Sequence, residues 1–385
     1  MYEPFPGNYV WNLSINIALH GGANMGELDR AIRPLREAAL RGEDAGTGLF
    51  FDSLVKVAHQ LRDNGEADEG KGRNLSASRK YRRASTYLQT AERMQARDYL
   101  PRKEAYNLSL ELFRRSVELA GERTEFLDIP FAGSRFQALF VPSPTAPARG
   151  SCLISVNGLD SMKEQVYNAD IARSFLARGI SLLIVDQPGT GSALRHDNLH
   201  VIYDSERWAS ACVDYLETRA DVDPKRIGIF GLSFGGYHAP RAAAFEKRLA
   251  LCAVQGANHN WGDLQRRRLA REGENPVPHY WDHVMWVWGK TDIASFMAEM
   301  PNVTLNGVVE KITVPFLVTH FSGDRQIPVA DAQQSFDQAT ASPKRELRIF
   351  TESDFEVEHC GADNGSVAPD FIADWVAETF AEMNR

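Results

Sequence analysis

From residue 122 onward the chain alternates short apolar, β-branched runs with amphipathic segments of helical period, and few folds accommodate that order. Glu125–Pro130 and Phe136–Val141 read as a hairpin around Ala132-Gly133-Ser134. Strand candidates follow at Cys152–Val156, Ser181–Val185, Ile227–Phe230, Leu251–Val254, Pro315–Thr319 and Leu347–Phe350. Helical segments separate them at Glu164–Ala177, Ser205–Arg219, Gly235–Glu246, Val329–Gln338 and Pro369–Met383. Such a chain is predicted to form a mostly parallel sheet with helices on both faces, an α/β fold.

Before residue 122 the pattern is helical only. Met25–Arg41, Gly48–Asp63, Asn74–Met94 and Lys103–Ala120 place apolar residues three and four apart. Asp63-Asn64-Gly65-Glu66 reads as a break, Asn64–Gly72 as a polar connection and Asn74 as a cap. Residues 1–121 are therefore expected to form a helical region and 122–385 the α/β domain. Within the latter, residues 257–311 are too long for a simple crossover and suit a lid or pocket wall.

The net charge of -8 with no basic block argues against a nucleic-acid partner; the densest basic run is Arg266-Arg267-Arg268. Cys152, Cys212, Cys252 and Cys360 lie far apart without metal-type spacing and read as reduced thiols. The first twenty residues lack the pattern of a secretory leader, and no run approaches the roughly 18 apolar residues of a membrane span. A soluble cytoplasmic protein is expected.

Gly231-Leu232-Ser233-Phe234-Gly235 lies directly after a strand candidate and directly before a helix. G-x-S-x-G in that context is the nucleophile elbow of an α/β-hydrolase, where a strained turn lifts the serine above the sheet. A serine hydroxyl needs a base, and the base an orienting acid, here in the order Ser, Asp/Glu, His. Asp324 stands in the turn after the strand ending at Thr319, and His359 in the loop after the strand ending at Phe350. His320 comes too early and His238 falls inside the helix after the elbow. The alternative for Asp324 is a turn-forming aspartate after glycine.

Amide donors for an oxyanion are expected at Phe234 and in the loop after the first core strand, at Leu159 with Gly158 as the neighbouring alternative. Trp261, Tyr280, Trp281, His283 and Trp286 form an aromatic-rich stretch that suits a pocket for a flat substrate, or plain core packing. Asp186-Gln187-Pro188-Gly189-Thr190-Gly191-Ser192 lacks the lysine and spacing of a phosphate loop, so no nucleotide cofactor is implied. His279 and His283 lack the glutamate of a zinc helix, and no metal is expected.

With these residues in view, the chain resembles the α/β-hydrolases with an amino-terminal helical cap, the group of 2,6-dihydroxypseudooxynicotine hydrolase and the fungal polyketide-shortening pigment hydrolases. The likeness lies in Ser76–Ser85, in Gly158-Leu159-Asp160-Ser161-Met162-Lys163-Glu164 and in Gly231–Tyr237. It implies hydrolysis of a carbon–carbon bond beside a ketone on a hydroxylated aromatic compound, in a homodimer. Some members of the group carry a further carboxylate after the strand that follows the elbow helix. Asp263 is the candidate here, where the group has a glutamate; its alternative is to cap a helix starting near Leu264. A carboxylesterase or lactonase, and a hydrolase-fold binding protein without turnover, are the competing functions.

Overall fold

The computed structural model describes residues 1–41, 46–93, 95–271 and 279–383. Met94, at the end of an expected helix, and residues 272–278 of the expected insertion lie outside that range. The chain divides into two compact units, Met1–Arg123 with Gly273–Val284 and Thr124–Glu272 with Met285–Arg385.

In the first unit, α1 (Tyr9–His20), α2 (Met25–Leu40), α3 (Gly46–Glu69), α4 (Asn74–Arg93) and α5 (Leu100–Ala120) enclose an apolar core. Two features depart from the sequence expectation. First, α3 runs straight through Asn64-Gly65, where a break and a polar connection were predicted. Gly65 serves contact instead, since a Cβ there would stand 2.5 Å from the Tyr81 ring of α4. A glycine in mid-helix costs about 1 kcal/mol relative to alanine, less than displacing a buried tyrosine would. Second, α1 is a helix absent from the sequence expectation: Val10 to Asn16 and Ala18 are all buried, so no single apolar stripe marks it, and two of the buried residues are asparagines. Asn12 both donates to and accepts from the Phe5 backbone (2.9 and 3.0 Å), and Asn16 does the same with Tyr2 (2.7 and 3.2 Å). These amides satisfy backbone groups of the irregular segment before α1, so their burial carries little penalty.

The second unit is built from β1 (Glu125–Phe131), β2 (Ser134–Val141), β3 (Gly150–Val156), α6 (Lys163–Asn168), α7 (Asp170–Ala177), β4 (Ser181–Val185), α8 (Gly191–Arg195), α9 (Glu206–Glu217), β5 (Val222–Leu232), α10 (Gly235–Phe245), β6 (Cys252–Gln255), α11 (Trp261–Ala270), α12 (Tyr280–Val287, which begins in the first unit), α13 (Ile293–Glu299), β7 (Phe316–Phe321), α14 (Val329–Gln338), β8 (Arg345–Phe350) and α15 (Val367–Glu382). The strand order is β1-β2-β4-β3-β5-β6-β7-β8. β1, β2 and β4 pair antiparallel, and every pair from β4 to β8 is parallel. All of β3, β4, β6 and β7 is buried, as their continuous apolar runs require when both faces are covered. Val156 pairs with Gly231 and Leu232 with Gln255, so the loops after β3, β5 and β6 leave the same carboxyl edge. Open parallel sheets place ligand sites at that edge. Among the described residues no helix is long and apolar enough to cross a membrane.

Candidate active site

The elbow is built by steric necessity. Ser233 takes φ 55°, a left-handed conformation that a residue with a Cβ occupies only when its surroundings impose it. The turn is closed by Ser233 N–H donating to the Gln255 carbonyl (3.0 Å) and Gly236 N–H donating to the Ser233 carbonyl (2.7 Å). A Cβ on Gly231 would stand 2.1 Å from the Gly235 carbonyl oxygen, so the strand and the helix can cross this closely only at glycine.

Ser233 Oγ lies 2.8 Å from His359 Nε2, and His359 Nδ1 lies 2.7 Å from Asp324 Oδ2. The carboxylate accepts from Nδ1–H, which leaves Nε2 to accept the serine proton. Asp324 divides its work between its oxygens. Oδ1 accepts from the amides of Gln326 and Ile327 (2.7 and 2.9 Å), so the turn-forming aspartate and the partner of the histidine are one residue. Burial opposes its ionisation, but the adjacent His359 prevails and holds the carboxyl below its ordinary range. Burial likewise opposes charge on His359, and the Asp324 carboxylate overcomes it, raising the imidazole well above the ordinary 6.5.

The loop carrying His359 is tied down by residues with no sequence signature. Asp363 accepts from the amides of Val357 and Glu358 (2.9 and 3.0 Å). Glu356 accepts from those of Val367 and Ala368 at the start of α15 (3.0 and 2.8 Å). Gln255 Nε2 donates to the Cys360 carbonyl (2.9 Å) while its own carbonyl holds Ser233. One residue at the end of β6 thus fastens both the Ser233 turn and the His359 loop. Arg325 and Glu358, the neighbours of Asp324 and His359, form an ion pair across the same gap.

The other histidines do different work. His320 donates from Nε2 to the Ile327 carbonyl (3.0 Å) and is buried in β7. His238 is buried against Phe234, and burial pushes its imidazole down to about 3, so it stays neutral.

After β3, Gly158 N–H donates to Ser161 Oγ (2.8 Å). Among the described residues the amides of Leu159 and Phe234 have no acceptor. Trp261 is buried, packs tilted against Phe234 at 4.5 Å and stacks against Trp288 at 5.7 Å, bracing the residue after Ser233. Trp286 belongs to the second unit, where its carbonyl accepts from His200 Nδ1–H (2.8 Å). Tyr280, Trp281 and His283 fall in the first unit, Tyr280 packing edge-on against Trp281 at 5.2 Å. Asp263 is not brought into contact with Ser233, His359 or Asp324. Its carboxylate pairs with Arg266 and with Arg267 Nε (2.9 Å) and remains about a third exposed. It does not cap its helix either: α11 starts at Trp261, and Asn260 Oδ1 accepts the Asp263 amide (3.1 Å).

A parallel sheet with a strained serine turn, a histidine and a carboxylate at its carboxyl edge defines a hydrolase, and the chain belongs to the alpha/beta hydrolase family, whose pattern matches residues 156–379. It is similar to the alpha/beta hydrolase ucsC of an Acremonium species, 29% identical over 73% of this chain, which spans 58% of that relative's length. It is also similar to the 2,6-dihydropseudooxynicotine hydrolase of Paenarthrobacter nicotinovorans, 26% identical over 70% of this chain and 73% of that one. The crystal structure of a 2,6-dihydroxy-pseudo-oxynicotine hydrolase shares the fold, with a TM-score of 0.77 at 20% identity over 96% of both chains.

Proposed function

We propose that this hydrolase uses Ser233 as nucleophile to cleave a carbon–carbon bond beside a ketone, or an acyl bond, in an aromatic or polyketide-like small molecule. The observation that carries this is the continuous hydrogen-bonded chain from Ser233 Oγ through His359 to Asp324. His359 takes the serine proton as Oγ attacks the carbonyl carbon. The alkoxide that forms is held by the free amides of Phe234 and Leu159; the Gly158 amide, committed to Ser161, is the poorer candidate. Collapse of the adduct breaks the bond to the leaving group. In the ketone case the departing ring carbon keeps the electron pair and takes the proton from His359, leaving an acyl-serine. Water, deprotonated by His359, then releases the acid. The substrate class follows from the resemblance to the cap-bearing group and from the named relative above.

The test is product analysis by mass spectrometry with a hydroxyaryl ketone and a nitrophenyl ester. Release of the arene and the matching carboxylic acid supports the carbon–carbon reading. Ester cleavage alone makes the protein a carboxylesterase or lactonase, and binding without either product makes it a receptor.

Two expectations accompany this reading. The acid limb of kcat/KM should lie above pH 6.5, since only neutral His359 can accept the serine proton and its folded value is raised. The stability contributed by the pair has the opposite sign on that limb. It is fully present below the unfolded histidine value and is lost as pH rises through the raised one; at the acid end it is lost as Asp324 protonates below its ordinary range. The melting-temperature deficit of Asp324→Asn should therefore shrink as pH rises along the activity limb, which a thermal-melt series beside a pH–rate profile checks. The second concerns Asp263. With its carboxylate held by two arginines, Asp263→Asn is expected to change kcat/KM by less than about threefold on both substrates. A loss confined to the aryl ketone would restore the auxiliary-carboxylate role.

A further inference from the structure

The loop between β3 and α6 is fastened at both ends to the residues after β4, through a cluster of charges with almost no solvent contact. Lys163, Glu164 and Asp186 are all buried. Lys163 Nζ lies 2.8 Å from Asp186 Oδ2, 2.8 Å from Glu164 Oε1 and 3.4 Å from Ser192 Oγ. The Lys163 amide donates to Asp186 Oδ1 (2.8 Å), and the Ser192 amide and hydroxyl donate to Oδ2 (2.9 and 3.0 Å). At the loop's start, Asn157 and Gln187 exchange a pair of hydrogen bonds. The Asn157 amide donates to Gln187 Oε1 (3.1 Å), and Gln187 Nε2 donates to the Asn157 carbonyl (2.9 Å). Asn157 Nδ2 adds bonds to the Val185 carbonyl (2.7 Å) and Asp186 Oδ1 (3.3 Å), and its Oδ1 accepts from Ser161 Oγ (3.1 Å).

Burial disfavours charge throughout this cluster. At Asp186 the Lys163 ammonium and two backbone amides prevail, so the carboxylate is held below its ordinary range. Burial raises Glu164, and the charge of Asp186 adds to it. A buried ion pair of this kind is weak evidence for stability; its attested use is to fix one arrangement of the chain.

What is fixed here is the crown of the loop. Asn157, Gly158, Ser161 and Lys163 are all tied down, and among the described residues the Leu159 amide has no acceptor. A Cβ on Gly158 would touch the Ser233 Cβ at 3.2 Å, so this crown stands directly against the nucleophile. We propose that Lys163 and Asp186, acting through Asn157 and Ser161, are positioning residues that hold the Leu159 amide where it meets the alkoxide formed on Ser233. The proposal rests on the function proposed above. It explains why two charges are kept in a dry site that apolar residues could fill, since the two carboxylate oxygens of Asp186 bind both the loop and its neighbour.

The test compares Lys163→Met/Asp186→Asn, which removes both charges together, with Ser161→Ala, which leaves the ion pair intact. For each, melting temperature, kcat and KM on a nitrophenyl ester are measured. So is the affinity for an alkyl trifluoromethyl ketone, whose serine adduct carries the oxyanion. Variants that fold should keep KM within about threefold while kcat falls by about 10- to 100-fold, less than or equal to the loss of one whole donor. The trifluoromethyl ketone should weaken by a similar factor. A folded double variant with wild-type kcat and inhibitor affinity overturns the proposal; if it does not fold, wild-type kcat in Ser161→Ala overturns it. Ser233→Ala separates this from the parent reading. Activity retained there rejects the nucleophile itself, whereas an inactive Ser233→Ala beside a normal double variant rejects only the positioning role.

Discussion

Ser233→Ala is expected to lower turnover of a nitrophenyl ester by up to about 10⁶-fold, because the members of such a catalytic group act as a unit. The protein should still fold. Alanine fits the φ 55° turn as well as serine does, and the turn is held by backbone bonds to Gln255 and Gly236 that the substitution leaves alone. The hydroxyl's hydrogen bond in the site is to His359 Nε2, so a net stability change of about 1 kcal/mol is the most its loss should bring. Substrate affinity, measured by calorimetry on the inactive protein, should remain close to wild-type KM. Turnover within tenfold of wild type, with the melting temperature unchanged, would remove Ser233 as the nucleophile.

Asp324→Asn is expected to cost about 10⁴-fold in kcat, through the wrong tautomer rather than a missing contact. Asparagine keeps an oxygen for the Gln326 and Ile327 amides, so the turn survives. Its other atom becomes an NH₂ facing His359 Nδ1, where the carboxylate accepted a proton. The ring must then carry its proton on Nε2, and a protonated Nε2 cannot accept from Ser233 Oγ. The charge that raised the imidazole is also gone, so the residual activity should have its acid limb at lower pH than wild type. Residual activity with an unmoved acid limb would show that Asp324 does not govern His359.

The order of the strands and the three residues brought together at the sheet edge were legible in the sequence for local reasons, whereas α1, α8, α11, α12 and α13 were not, and the helix expected over Glu164–Ala177 is two, α6 and α7. A parallel strand buried on both faces must be apolar throughout, as β3 and β4 are, and the crossing of β5 with α10 must be glycine on both sides of Ser233. Each of these requirements falls on a short contiguous stretch. Asp324 and His359 followed because the strands before them fix where their loops leave the sheet.

Signals whose meaning depends on a distant partner were decided only in three dimensions. Gly65 has the local appearance of a helix break, and Tyr81 of the next helix makes it a contact residue. Leu159 is the expected oxyanion donor with Gly158 as its neighbouring alternative, and only the folded loop shows that the Gly158 amide is engaged by Ser161 Oγ. Asp263 reads as either a cap or a catalytic carboxylate, and Asn260, Arg266 and Arg267 claim both of its ends. Gln255 bears no motif at all, yet it ties Ser233 to the loop of His359 from 105 residues away. Lys163 opens α6 and Asp186 follows β4, and only the pairing of β3 with β4 brings them together and buries their charges as a pair. Backbone periodicity and turn sterics are written within a few residues, whereas hydrogen-bond partners and burial are set by segments that meet only when the sheet forms.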